Sequence, residues 1–228
     1  MAELVDYRLD DDIATITMDD GKANVMSLPM MAGLADAFRQ AESDAAVAVL
    51  TGRDGLFSAG YDMAMFNEPM ETIAATLLAG GELVAQILAH PFPVVAACGG
   101  HSIAQGAFVL LACDVRLGVD APVKVGLNEV AIGLTIPHYG VEVARHQLVP
   151  AWFDHATVTG TLYDAAGAQR AGFFHELVAP DRLADAARAG AERLAAVDMA
   201  AHAGTKLRTR RPVLDAIAAM HGPEFELP

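Results

Sequence analysis

Two short runs constrain this chain more than anything else in it: Val47-Ala48-Val49-Leu50-Thr51 and Pro93-Val94-Val95-Ala96-Ala97-Cys98. Both are apolar without alternation, the pattern of a strand covered on both faces. Before the first lies a helical repeat of Met30, Met31, Leu34, Ala37, Phe38 and Ala41, and between the two lies a longer helical stretch over residues 70–89. Strands joined through helices pair in parallel, because parallel neighbours need a crossover connection. The chain therefore reads as α/β.

Each run leads into glycine. After the first come the polar turn Gly52-Arg53-Asp54-Gly55 and the stretch Leu56-Phe57-Ser58-Ala59-Gly60-Tyr61-Asp62-Met63. After the second come Gly99-Gly100-His101-Ser102-Ile103-Ala104-Gln105-Gly106-Ala107-Phe108 and an apolar run ending in Cys113-Asp114. A strand, a glycine bend and a helix start present backbone N–H groups at one spot, where they can hold a phosphate or a developing oxyanion. Gly60 permits close approach and left-handed dihedrals. Alone, the first stretch reads equally as a plain strand-to-helix turn. Two such stretches can set two amides opposite each other.

The remaining chain follows in order. Residues 7–9 and 13–18, parted by Asp10-Asp11-Asp12, read as a hairpin, and residues 19–24 as a turn. Ser27 is placed to cap a helix over 28–42, with Pro29 early in it. Asn67-Glu68-Pro69 breaks the chain before the 70–89 helix, where Gly80-Gly81 predicts a kink or a break. A helix over 105–112, short strands at 115–119 and 123–125, helices over 137–149, 151–159 and 164–171 and a strand at 174–178 complete a core assigned to residues 1–180. Residues 181–228 are alanine-rich, with two helices parted near 198–204.

Composition excludes several functions. A chain of 228 residues with 54% hydrophobic content suits one globular domain with a sizeable core. Gly, Pro or a charge breaks each apolar run, so no membrane span is expected. The acidic N-terminus lacks the order of a signal peptide. Cys98 and Cys113 lie in apolar segments and are expected as buried free thiols, which fits a cytoplasmic location. A net charge of −14 argues against nucleic acid as a partner. The eight histidines show no paired ligand spacing, so no metal is expected, and there is no phosphate-loop or dinucleotide fingerprint.

Phe57-Ser58-Ala59-Gly60-Tyr61-Asp62-Met63 resembles the F-(S/A)-A-G-x-D-(L/M) signature of the crotonase, or enoyl-CoA hydratase/isomerase, superfamily. Pro93 to Ala97 with the glycine turn through Asp114 resembles its second signature, and Gly126-Leu127-Asn128-Glu129 with Gly133-Leu134-Thr135-Ile136-Pro137 resembles its third. The resemblance covers roughly residues 5 to 180 in family order. It implies a spiral of ββα units with a helical C-terminal trimerisation region, a homotrimer or dimer of trimers, and an acyl-CoA thioester as substrate, with coenzyme A part of that substrate and no separate cofactor.

The resemblance also implies roles. The oxyanion donors would be the N–H groups of Tyr61 and Gln105, with Gly106 taking the second role if the register slips by one. Many relatives carry glycine at position 105, so the Gln105 side chain is expected to narrow the pocket. Glu129 matches the family's acid/base carboxylate; read without the motifs, it is a surface glutamate. Among Leu127, Val130, Ile132 and Leu134 it should be partly buried, which raises a carboxyl's pKa towards the useful range. Hydratases of the superfamily place a second glutamate where this chain has Phe108, expected here as the apolar wall opposite Glu129. Ala59, Asp62, Met63 and Phe108 are substrate-binding candidates. Lys22 and Ala23 are candidates for the adenine end of coenzyme A, with a solvated lysine on a turn as the alternative. Coenzyme A is polyanionic, so an acidic chain must gather cations locally. Lys206, with Arg208, Arg210 and Arg211, forms either a phosphate-facing patch or a solvated helix end. His138 and Tyr139 could line the acyl pocket; for both, and for His101, a structural or solvent-facing role is the alternative.

One carboxylate suits a proton shuttle, and the third signature resembles the Δ3,Δ2-enoyl-CoA isomerase branch. Isomerisation of a 3-enoyl-CoA is therefore expected ahead of hydration. A decayed acyl-CoA-binding protein, or another crotonase reaction such as thioester hydrolysis or decarboxylation, remains as an alternative.

Overall fold

A computed structural model describes residues 4–219. Residues 1–3 and 220–228, assigned above to the two ends of the chain, lie outside the described residues.

The chain opens with the hairpin β1 (Val5–Asp10) and β2 (Ile13–Met18), antiparallel from Val5 opposite Met18 to Asp10 opposite Ile13. Helix α1 (Leu28–Ser43) follows, and Ser27 Oγ accepts the Met30 N–H at its start. The six apolar residues of the sequence repeat, Met30 to Ala41, form its buried face.

Three strand–strand–helix units come next. The first is β3 (Val47–Thr51), β4 (Gly55–Ser58) and, after a 3-10 turn at Met63–Asn67, α2 (Met70–Ala89). The second is β5 (Val94–Cys98), β6 (Gly100–Ile103) and α3 (Gln105–Ala112). The third is β7 (Val115–Val119), β8 (Val125–Gly126) and, after a 3-10 turn at Val130–Ile132, α4 (His138–Gln147). Helix α5 (Pro150–Val158), β9 (Leu162–Tyr163), α6 (Ala165–Ala171) and β10 (Glu176–Val178) then lead to α7 (Leu183–Ala195) and α8 (Met199–Ala218).

Each unit places its first strand in one sheet and its second in another. The larger sheet runs β1-β2-β3-β5-β7-β10, parallel from β2 onward. The smaller runs β4-β6-β8-β9, with β4, β6 and β8 parallel. This is the expected spiral of ββα units. The second sheet itself was not read from the sequence: β4 and β6 fall where glycine turns were expected. At Gly100 the β6 backbone lies so close to its β4 partner Gly55 that a Cβ would overlap it, which is why glycine stands there.

The core lies around β3 and β5, whose apolar runs are almost wholly buried. Helix α7 covers β3, β5 and β7, and α8 lies against α2 and α4. Their break falls at residues 196–198, slightly earlier than the expected 198–204, because Asp198 caps α8 through the Ala201 N–H.

Two expectations are corrected. Helix α2 has no break at Gly80 and Gly81, and both glycines are buried against side chains that leave no room for a Cβ. By length and composition α2 is also apolar enough to cross a bilayer, contrary to the reading that no segment is. In this fold its apolar side, including Leu83, Val84, Ile87 and Leu88, is packed into the core.

Candidate active site at the strand ends of the smaller sheet

Because β4, β6 and β8 are parallel neighbours, the residues that follow them leave from one edge of the sheet. Those residues are Ala59-Gly60-Tyr61, Ala104-Gln105 and Leu127-Asn128-Glu129. Strand carboxyl ends are where open α/β sheets bind ligands. The Ala104 N–H bonds the Gly126 carbonyl at 3.0 Å and ties the last two exits together.

Gly60 has φ +86°, and a Cβ there would lie 2.8 Å from the Ile103 carbonyl oxygen and 3.4 Å from the Gln105 nitrogen. Only glycine lets the two exits approach this closely. Ala104 has φ +51° and ψ −122°, a conformation nearly reserved for glycine. Such strain costs about 1–3 kcal/mol and persists where surrounding structure imposes it. It turns the chain so that Gln105 begins α3. The helix uses the Ala107 and Phe108 N–H groups on the Ala104 carbonyl, while its earlier amides have no intrahelical acceptor. The Gln105 nitrogen is the one facing Gly60, whereas Gly106 packs on Ser58.

Glu129 is 6% exposed, and its Oε2 is buried without a hydrogen-bond partner, as is Asn128 Oδ1. Burial pushes the carboxyl up to about 7 from an ordinary 4.5. Buried polar atoms are normally satisfied, so two adjacent orphaned acceptors mark a place where a ligand could supply the missing groups. A carboxyl titrating near neutrality can both take and return a proton. Asn128 appears in the sequence only as part of a motif, and nothing in its local pattern signals this burial.

The other sequence candidates divide. Ala23 and Ala59 are brought together, the Ala59 N–H bonding the Ala23 carbonyl at 3.0 Å, and the Met26 N–H bonds the Gly60 carbonyl at 2.9 Å. Lys22 stands exposed on that loop, and the Arg53 guanidinium donates to its carbonyl. Arg53, which the sequence reading placed only in a turn, thus joins Lys22 beside the site. Asp62 is exposed and its carboxylate caps the following 3-10 turn through the Ala64 N–H, while Met63 is 54% exposed.

Three side-chain expectations are corrected. Phe108 is fully buried, in edge contact with the Tyr139 ring at 5.7 Å, and presents no surface to a ligand. The Gln105 side chain does not protrude: it too is fully buried, its Nε2 donating to the Gly80 carbonyl at 3.1 Å and its Oε1 accepting from Tyr139. Lys206 faces inward, its Nζ bonded to Asp114 at 2.7 Å and to the Phe92 carbonyl at 3.3 Å. Arg210 joins it, donating to Asp114 and to the Leu88 and Ala112 carbonyls near the ends of α2 and α3. Arg210 thus sits at two helix C-termini, where positive charge is favoured, and of the expected patch only Arg208 and Arg211 face solvent. Among the described residues no three His, Cys, Asp or Glu side chains come together as metal ligands.

The chain is similar to known proteins along nearly its whole length. The family model described as enoyl-CoA hydratase/isomerase matches residues 8–220. A curated relative, (E)-benzylidenesuccinyl-CoA hydratase of Thauera aromatica, is 33% identical over 155 residues, covering 68% of this chain and 60% of its own length. An enoyl-CoA hydratase/isomerase family protein of Pseudomonas syringae superposes with TM-score 0.96 at 39% identity, covering 99% of this chain and 98% of its own. An apo structure described as an enoyl-CoA isomerase of Mycobacterium tuberculosis superposes with TM-score 0.95 at 36% identity over the whole of both chains.

Proposed function

The chain belongs to the enoyl-CoA hydratase/isomerase family, and we propose that within it the protein isomerises a 3-enoyl thioester of coenzyme A to the 2-enoyl thioester. Glu129 takes the proton from C2. The charge moves to the thioester oxygen, which the Tyr61 and Gln105 N–H groups hold in a preorganised site. The same carboxyl returns the proton to C4 as the double bond shifts. No water is consumed, so one carboxyl suffices.

The observation that carries this reading is the pairing of Glu129, buried and titrating near neutrality, with a position 108 that offers no second carboxyl. Hydration needs one group to direct water and another to deliver a proton, and Phe108 is apolar and fully buried. The Mycobacterium tuberculosis relative is described as an isomerase in one structure and as a probable enoyl-CoA hydratase in another, so its name favours neither reading. The second reading is hydration, favoured by the Thauera aromatica relative's name, with Asn128 Oδ1 the buried polar atom that would face water.

A proton NMR time course in D₂O tests this with 3-enoyl-CoA and, separately, 2-enoyl-CoA. Conversion of the first without hydration of the second is expected. Formation of a 3-hydroxyacyl product as the faster reaction overturns isomerisation in favour of hydration.

A further inference from the structure

The two residues proposed to supply the oxyanion amides are also joined through their side chains, by a third residue from another helix. Tyr139, on the first turn of α4, places its hydroxyl 2.7 Å from Tyr61 Oη and 2.7 Å from Gln105 Oε1. The Gln105 amide group continues to the Gly80 carbonyl on α2.

Hydrogen-bond chemistry fixes the direction of this chain. A carboxamide oxygen only accepts, so Tyr139 donates to Gln105 Oε1. A phenol has one hydrogen, so Tyr61 donates to Tyr139. Flipping the Gln105 amide would set its oxygen against the Gly80 carbonyl oxygen, two acceptors face to face, so the orientation is determined by its partners. The chain runs one way, from Tyr61 through Tyr139 and Gln105 to Gly80.

The surroundings hold it in place. Tyr139 is 1% exposed and wedged between the Phe108 edge and the bare backbone of Gly81. A Cβ on Gly80 would overlap Tyr61 Oη and lie 2.9 Å from Gln105 Nε2. On the backbone side the exits approach closely, with Gly60 against the Ile103 carbonyl and Ala104, leaving no room for a Cβ. The segments carrying the two amides are therefore fixed twice, by backbone contact and by a side-chain bridge.

We propose that Tyr139 is a positioning residue whose hydroxyl, bridging the side chains of Tyr61 and Gln105, sets the separation of the two amides that receive the thioester oxygen. This rests on the oxyanion reading above. Displacements of about 1 Å at a reacting centre cost on the order of 10²-fold in rate. Loss of the bridge is therefore expected to lower kcat by about 10- to 100-fold with KM changed by less than about threefold, the mark of an interaction realised in the transition state.

The test combines kinetics with the infrared carbonyl band of a bound, unreactive saturated acyl-CoA labelled with ¹³C at the thioester carbon. Wild type should shift the band to lower frequency, since two amides polarise the carbonyl. Tyr139→Phe keeps the ring and its Phe108 contact, and should lose at least half of that shift while binding the same ester within about threefold of wild type. Gln105→Met, which keeps the backbone N–H and breaks the bridge from the other side, should do the same. It carries the test if Tyr139→Phe does not fold. A full wild-type band shift and wild-type kcat in the variants overturn the positioning role while leaving the oxyanion reading intact. No band shift in wild type overturns the oxyanion reading, and the bridge's role falls with it.

Discussion

Lys206 Nζ lies 2.7 Å from Asp114 Oδ2, an ion pair between the last long helix and the end of α3 with side-chain exposures of 3% and 14%. Arg210 reaches the other oxygen of the same carboxylate at 2.8 Å. Asp114 also accepts the Val94 N–H at 2.7 Å, so one carboxylate ties α8, β5 and the α3 terminus together.

Asp114→Ala leaves two buried cations without their counterion. Breaking a buried pair costs about 3–5 kcal/mol, so the urea midpoint should fall steeply. Lys206→Met should cost less, because Arg210 still holds Asp114. It should also leave affinity for a CoA ester within about threefold of wild type, where loss of a charge-assisted phosphate contact would cost more. A tenfold weaker Kd would return Lys206 to the role expected from sequence.

Glu129→Gln should reduce kcat by about 10²–10⁴, the usual contribution of a positioned acid–base group. A thermal melt no lower than wild type's confirms that the loss is chemical. Near-wild-type turnover would remove Glu129 from the mechanism.

The raised carboxyl makes two pH predictions with opposite consequences. Activity needs the carboxylate, so kcat/KM should rise with pH through about 7. Stability runs the other way. The unfolded carboxyl loses its proton near 4.5 and the folded one near 7, so the folded state binds more protons between those values. The stabilisation is present below about 4.5 and is lost as pH rises through about 7, on the order of 3 kcal/mol for this group. Glu129→Gln removes that slope. Urea midpoints should therefore agree near pH 4.5 and favour the variant at pH 8.

Gly60→Ala forces a side chain into φ +86° and against the Ile103 carbonyl. The left-handed conformation alone costs about 1–2 kcal/mol. Stability should fall by at least that much, and kcat should fall with it because the Gly60–Gln105 approach widens. A variant with wild-type kcat would show that the approach does not set the site.

The family, the strand–helix alternation and the acid–base candidate were legible in the residues themselves. Met30 to Ala41 repeat at the helical period, β3 and β5 are continuous apolar runs, and three motifs in order mark residues 60, 105 and 129. These signals are local, so a linear reading recovers them. The smaller sheet was mostly not legible, because four-residue strands such as Gly55–Ser58 and Gly100–Ile103, half or more glycine and polar, are too short to show a period.

Side-chain direction was decided only by tertiary structure. Phe108 matched a pocket position in sequence, yet it is fully buried, packed edgewise with Tyr139 from α4. Lys206 looked like part of a solvent-facing basic cluster, yet Asp114 and the Phe92 carbonyl draw it inward. Gln105 looked like an obstruction, yet Gly80 and Tyr139 take its polar atoms away. In each case the deciding partner is 25 to 114 residues away in the chain. A buried polar or aromatic group goes where hydrogen bonds and packing are satisfied, and those partners exist only once the chain has folded.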